Sequence, residues 1–183
     1  MGRTWRRSIL LASALLVGAA TAVAAGQDPL RPGNGVTPLD LLGDGTPSMA
    51  VVGKRENFNA HSFDVVSVYV RVDHQLEIVP FFDAGKEQDQ LTSSGGADCL
   101  LHDFRFFRRK PHVPLELVVA DRDYGDSFVD VRPVTFRLYA LIRNVDSEPG
   151  APTWSFQLRA TRVSVKSYCD VGDAFKSEAD WRE

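Results

Sequence analysis

The chain has 183 residues, 44% of them hydrophobic, with 21 Lys and Arg against 24 Asp and Glu and a formal net charge of −3 at pH 7. Without its first 25 residues, which carry three arginines and no acid, it keeps 158 residues and a net charge of −6. That acidic balance argues against phosphate-neutralising nucleic-acid binding and against docking on anionic lipid, and the length suits one domain.

The chain opens with MGRTWRR, whose Arg3, Arg6 and Arg7 precede an uncharged stretch, SILLASALLVGAATAVAA. Ala22-Val23-Ala24 and Val23-Ala24-Ala25 both fit a small-x-small cleavage site. A basic start, an apolar run and such a site together predict a cleavable signal peptide over 1–25 and a mature protein that works in the periplasm. The alternative is a membrane anchor, since the run touches the lower limit for a spanning helix. Its Ala and Gly content, and the helix-hostile GQDPLRPGNG after it, favour cleavage and no stable membrane insertion afterwards. Arg6-Arg7 matches a twin-arginine signal only in part, with Trp5 where Ser or Thr is usual.

Residues 26–38 hold three Pro and three Gly and predict an irregular lead-in, followed by a single domain over 39–183. Strand patterns then dominate. Ala50-Val51-Val52 is a short apolar run. Residues 62–72 (SFDVVSVYVRV) alternate and are rich in β-branched and aromatic residues, which fits a pleated, half-buried strand. Residues 76–82 (LEIVPFF) predict the partner of a hairpin turning at Asp73-His74-Gln75. A polar loop covers 83–98. Strands are expected at 100–109 and 115–120, a turn over 121–126, and a strand at 134–144 that alternates through Phe136, Leu138, Ala140 and Ile142. Residues 154–168 supply one or two more. Only the C-terminus reads as helical, with Asp170 as cap, Asp173 in the first turn, and Val171, Phe175 and Ala179 on one face. Short strands punctuated by Gly and Pro predict a mostly β fold, an antiparallel β-sandwich (or barrel) with a short C-terminal helix.

The two cysteines, Cys99 and Cys169, have one intramolecular pairing, and an oxidising compartment predicts that bridge. Two free buried thiols are the alternative.

Four places invite a site. Asp40, Asp44 and Gly45 match the first, fifth and sixth positions of a calcium loop, which needs alternating oxygens around a hard cation and a Gly for the turn. Leu42 offers no oxygen at the third position. A turn held by Asp side chains is preferred to a weak cation site. Asp121, Asp123, Asp126 and Asp130 read as a solvated hairpin turn neutralised by Arg122 and Arg132. Asn57, Asn59 and His61 could face a polar ligand, although local backbone satisfaction explains them equally. The Gly-rich segment Ser94, Gly95, Gly96, Ala97, Asp98 could approach a ligand closely. His102 and Asp103 point to opposite sides of a strand and make no dyad, so His102 is expected to be packed and hydrogen-bonded. The four histidines (61, 74, 102, 112) have no zinc-ligand spacing, and G-x-S-x-G, H-E-x-x-H and S-x-x-K are all absent. The protein is therefore expected not to be an enzyme.

Three blocks, LDLLGDGTPSMAVVGKRENFNAHSFDV at 39–65, SGGADCLLHDFR at 94–105 and YCDVGDAF at 168–175, resemble the CarG-type carbapenem intrinsic resistance proteins. The resemblance runs from about 38 to 175. It implies a periplasmic β-sandwich with short terminal helices, a homodimer, a bound divalent cation such as calcium at Asp40 and Asp44, and resistance by no established hydrolysis. It also implies a fold like that of periplasmic inhibitors of invertebrate-type lysozyme. Those inhibitors use an S-G-x-Y loop, whereas Ser94-Gly95 is followed here by Gly96-Ala97, which disfavours that mode. The expectation is a non-catalytic protein that protects by sequestering a β-lactam or shielding its target, with Asn57, Asn59, His61, Ser94, Gly95, Gly96 and Asp98 as polar contacts. The alternatives are an inhibitor of a cell-wall lytic enzyme and a cation-binding structural module of the envelope.

Overall fold

The computed structural model describes residues 29–178, so the signal-peptide reading of 1–25 and the proposed helical position of Ala179 lie outside the described residues. Twelve strands and one helix follow in order. They are β1 (Gly35–Leu39), β2 (Ser48–Arg55), β3 (Phe63–Val72), β4 (Gln75–Ile78), β5 (Phe81–Asp83) and β6 (Lys86–Gln88), then β7 (Leu91–Thr92), β8 (Ser94–Gly95), β9 (Leu100–Phe107), β10 (Glu116–Arg122), β11 (Arg132–Arg143) and β12 (Trp154–Tyr168), closed by α1 (Val171–Ser177). One sheet has the order β1-β2-β3-β4 with β7 also on β3, and the other runs β6-β5-β12-β11-β10-β9-β8. All pairings are antiparallel except β5 with β12, which meet in parallel at Phe81 and Phe156. The predicted sandwich is present.

Period-two alternation drives the main core. Val66, Val68 and Val70 of β3 and Ala50 and Val52 of β2 face Phe104, Phe106, Leu117, Val119, Tyr139, Leu141 and Phe156 of the larger sheet, all buried. Part of the outer face of that sheet is covered too. Phe136, Leu138, Val118 and Ala120 pack with Val171, Ala174 and Phe175 of α1, with Phe175 edge-on to Phe136 at 5.5 Å between centroids. The helix forms where Asp170 caps it, its carboxylate accepting from Gly172 N at 2.6 Å, and where Asp173 meets the positive end of the helix dipole.

Three expectations need correcting. The lead-in is not irregular throughout, because Gly35–Leu39 pairs with β2 from Gly35↔Val52 to Leu39↔Ser48, and Leu30 bridges Phe106. Pro38 is tolerated there because β1 is an edge strand. The single strand expected over 76–82 is two. Pro80 has no N–H to give a ladder, and at Val79-Pro80 the chain leaves one sheet for the other. Val79 N still bonds Val68 O at 2.8 Å, while Pro80 O accepts from Phe156 N at 2.8 Å. Thirdly, the polar segment 83–98 is not all loop but contributes β6, β7 and β8.

Beyond Phe156, β12 pairs with β11 alone and leaves an open edge. Leu158, Val163 and Val165 are exposed along it. Its exposed Arg159, Arg162 and Lys166, and its register shifts against Pro133–Thr135 and Leu138–Tyr139 of β11, are the usual protections of an unpaired edge.

Candidate functional site

Three segments meet at one end of the sandwich: the β2–β3 connection, residues 56–62; the segment from β7 to β9, residues 93–99; and the β10–β11 connection, residues 123–131. The first is built by its own side chains. Glu56 Oε1 accepts from Phe58 N at 2.8 Å and from Ser62 Oγ at 2.5 Å, and Lys54 pairs with Glu56 at 2.9 Å. Asn57 Nδ2 donates to His61 O at 2.9 Å and Asn59 Oδ1 accepts from His61 N at 2.9 Å. Each amide thus gives one of its polar groups to holding the loop, which places Phe58 in the left-handed region at φ 56°.

The hydrogen bonds from Ser62, then Lys54 and the Phe58 amide, hold the Glu56 carboxyl well below the usual range, at about 2. A carboxyl lowered in this way supports the loop at pH above 4.5, and the support is lost as pH falls through about 2. Ser62→Ala is expected to raise the Glu56 titration toward 4.5, read by carboxyl-carbon NMR. An unmoved titration would show that Ser62 does not set it.

The structure brings the first two predicted segments together. His61 Nδ1 lies 2.9 Å from Gly95 O, a carbonyl that can only accept, so Nδ1 carries the hydrogen and donates it. The His61 ring packs on Phe128 with centroids 4.9 Å apart, and Tyr124 meets Phe128 edge-on at 4.7 Å. Gly96 lies beside the Phe128 ring, and a side chain at Gly95 would run into the Cys99 carbonyl. Asp98 is exposed at the rim. Below them is the Cys99–Cys169 disulfide, with Cα atoms 5.6 Å apart. In the third segment Arg122 donates to Asp123 O and Phe128 O at 2.9 and 2.5 Å, and Arg132 sits 3.7 and 3.6 Å from Asp126 and Asp130. That acidic stretch is a hairpin turn neutralised in part by its arginines.

Ser94 lies opposite His102, and from there a polar row crosses the sheet. His102 Nδ1 meets Asp121 at 2.5 Å, Arg137 reaches the other Asp121 oxygen at 2.6 Å and Asp83 at 3.6 Å, and Tyr139 OH donates to Asp83 at 3.3 Å. Burial pushes the Tyr139 hydroxyl up to about 12, so it stays a donor at any physiological pH. His102 is packed and paired, its partner supplied across the ladder by Asp121 and not by neighbouring Asp103.

Asp40 and Asp44 lie elsewhere. Arg108, which follows β9 directly, meets Asp40, whereas Leu100 at the start of β9 adjoins the disulfide; at about 3.3 Å per residue the two ends are ~25 Å apart. Asp40 Oδ1 accepts from Gly43 N and Gly45 N, each at 3.1 Å, and Asp44 Oδ1 from Thr46 N at 2.9 Å. Arg108 is buried, holds Asp40 Oδ2 at 3.2 Å and donates to the Asp40 and Val113 carbonyls. Gly43, at φ 80°, leaves no room for a side chain beside that guanidinium. Amide hydrogens and the fixed Arg108 cation already engage both Asp40 oxygens, and Asp44 Oδ1 is held by the Thr46 amide, so the pair does not present the converging oxygens of a calcium loop. It is the turn that the sequence favoured. Among the described residues no group of three or more His, Cys, Asp or Glu side chains is placed to hold a metal ion.

The sequence reading passed over the aromatic members, Phe58, Tyr124 and Phe128. Their one signal was an aromatic side chain inside a polar turn, outside any alternation that could bury it.

The family model described as carbapenem resistance protein CarG-like matches residues 33–177. Among solved structures, the crystal structure of CarG superposes with a TM-score of 0.70 and 25% identity, covering 83% of this chain and 96% of that one. No curated protein matches the chain.

Proposed function

The chain belongs to the CarG-like family, and from that premise we propose that it protects an envelope from a carbapenem as a periplasmic, non-catalytic binding protein. The family match over 33–177 carries this reading. The chemistry at the loop end supports binding over turnover. The histidine nitrogens engaged there and beside it meet a carbonyl, at His61, and a carboxylate, at His102; neither contact activates a hydroxyl or thiol nucleophile. The two amides proposed as ligand contacts each give one polar group to stiffening the loop.

Sequestration of the drug and shielding of its target are both open to such a protein. The rim favours shielding. A carbapenem carries a ring carboxylate at neutral pH, and Asp98, Asp123 and Asp126 are exposed beside the aromatic cluster. Like charges there would repel that carboxylate.

The test compares carbapenem susceptibility of a sensitive strain making the full chain with one making the chain without residues 1–25. Protection by the full chain alone is expected. Purified protein at one-tenth the drug concentration is expected to leave the carbapenem chromophore intact. Multiple-turnover loss of the chromophore would replace this reading with a hydrolase.

A further inference from the structure

On the outer face of the larger sheet, α1 packs on Phe136 and Leu138; Ala140, the next position of β11 on that face, is not part of the packed cluster. Its small side chain leaves a dip, and a cavity of about 320 Å³ lies there. Val113, Pro114 and Leu115 of the β9–β10 connection and Ala140 and Leu141 of β11 give it apolar walls. Arg109, Lys110 and Glu116 complete the lining. Glu116 is mostly buried, and its Oε1 accepts from Arg109 Nε at 2.7 Å and from Arg159 Nη1 at 3.2 Å. Its other oxygen, Oε2, is buried and accepts no hydrogen bond among the described residues. A buried carboxylate oxygen in that state is costly until a donor reaches it. Lys110 is exposed and has no carboxylate partner among the described residues. The neighbouring charges do not cancel it. Arg108 is matched by Asp40 at 3.2 Å, His112 is exposed on the same connection, and Asp44 lies beyond Asp40 with its carboxylate held by Thr46 N. Arg109, Lys110 and Arg159 thus outnumber Glu116 around the cavity, on a chain that is acidic as a whole.

We propose that this cavity binds a small amphipathic monocarboxylate. Lys110 meets the carboxylate, the apolar walls take the body of the ligand, and Glu116 Oε2 accepts from a ligand hydroxyl or N–H. Two molecules of the envelope share that chemistry. One is a carbapenem, with its ring carboxylate and a hydroxyl on its side chain. The other is the D-alanyl-D-alanine end of a cell-wall peptide, with its carboxylate, methyl groups and amide N–H. The inference rests on the proposed function for the drug as a ligand, and it gives sequestration a place. At the loop end the acidic rim repels the drug's carboxylate, whereas here, at the Arg108 end of β9, the charge has the opposite sign.

The experiment titrates the ¹⁵N-labelled mature protein, with its disulfide closed, with meropenem, with N-acetyl-D-alanyl-D-alanine and with the C-terminal amide of that dipeptide. Saturable shifts are expected at the backbone amides of Val113, Leu115, Glu116, Ala140 and Leu141 with at least one of the two carboxylates. Shifts with meropenem alone make the drug the ligand, and shifts with the dipeptide alone make it the cell wall. The dipeptide amide should bind at least about tenfold more weakly than the dipeptide wherever the latter binds. Lys110→Glu is expected to weaken binding about tenfold, and Ala140→Leu, which fills the cavity, to abolish it. Lys110 is exposed, so its variant holds the test even where Ala140→Leu does not fold. No saturable shift with either carboxylate overturns the proposal, and so does unchanged affinity of a folded Ala140→Leu or of Lys110→Glu. Susceptibility is read in parallel. Failure of the wild type to protect, with the cavity binding as expected, removes the proposed function alone, whereas full protection without binding removes only this cavity.

Discussion

Asp103→Ala is expected to lower the free energy of unfolding by about 3–5 kcal/mol, the range for breaking a buried ion pair from one side. Asp103 is fully buried, with Arg31 Nε donating to one carboxylate oxygen at 2.9 Å and Arg105 paired to the other. Arg31 also reaches Asp64 of β3 at 2.8 Å, and the Arg105 guanidinium lies over the Phe175 ring at 4.7 Å. One carboxylate thus ties the segment before β1, both sheets and the helix. Burial works against the charged form of Arg31, but Asp103 first and Asp64 with it overcome this and raise its pKa above the ordinary value. The pairing therefore supports the fold at every pH at which the carboxylates are ionised. Asp103→Asn keeps the shape and loses the charge, and is expected to cost less, about 1.5–3 kcal/mol. Asp64→Ala removes a partner that is 29% exposed and should cost under about 1 kcal/mol. Urea unfolding at two salt concentrations checks all three. The Asp103 losses should persist at high salt, because buried pairs are poorly screened. A loss below about 1 kcal/mol for Asp103→Ala would mean that the arginines find other partners and that this hub does not hold the layers.

Alternation made the sandwich legible, because a β3 that reads FDVVSVYVRV can bury Val66, Val68 and Val70 only by facing them to a second layer. It misjudged the larger sheet, where part of the outer face is covered as well. In β11 the apolar series Phe136, Leu138, Ala140, Ile142 suggests the core side, yet Phe136 and Leu138 lie under α1 and Ile142 is exposed. Tyr139 and Leu141, on the face that also carries Thr135 and Arg137, fill the sandwich. A helix of seven residues is too short to announce, from periodicity alone, that it covers part of a sheet's outer face. At the loop end, the proximity of His61 to Gly95 was open to guesswork but not to deduction, since 34 residues separate them. The Asp40–Asp44 segment shows the opposite limit. Its match to a cation loop was real as a pattern, but the deciding partner, Arg108, is 68 residues away and no local rule could supply it.

Replacing Cys99 and Cys169 together by serine is expected to destabilise the protein by about 4 kcal/mol, the chain-entropy value for a loop of about 70 residues. At the usual scaling for a domain of this size, Tm should fall by about 8–16 °C. The loss is also local. Cys99 directly precedes β9, and Cys169 lies between β12 and the cap of α1. Beside the bridge, Asp170 Oδ2 accepts from Leu100 N at 2.9 Å, so a weaker, non-covalent tie survives between the same two segments. Gly96 N donates to Cys99 O at 3.0 Å, and His61 rests on Gly95. Freeing Cys99 therefore loosens the seat of the Phe58 loop as well as the helix. Native-state hydrogen exchange should show protection falling first over 94–100 and 171–177, with the β2–β3 ladder little changed. A drop in Tm with protection unchanged at 94–100 would confine the bridge to the unfolded state and leave the loop end to stand on His61 and Phe128. A loss of protection there would mean instead that the loop end keeps its shape only in an oxidising compartment, where the bridge stays closed.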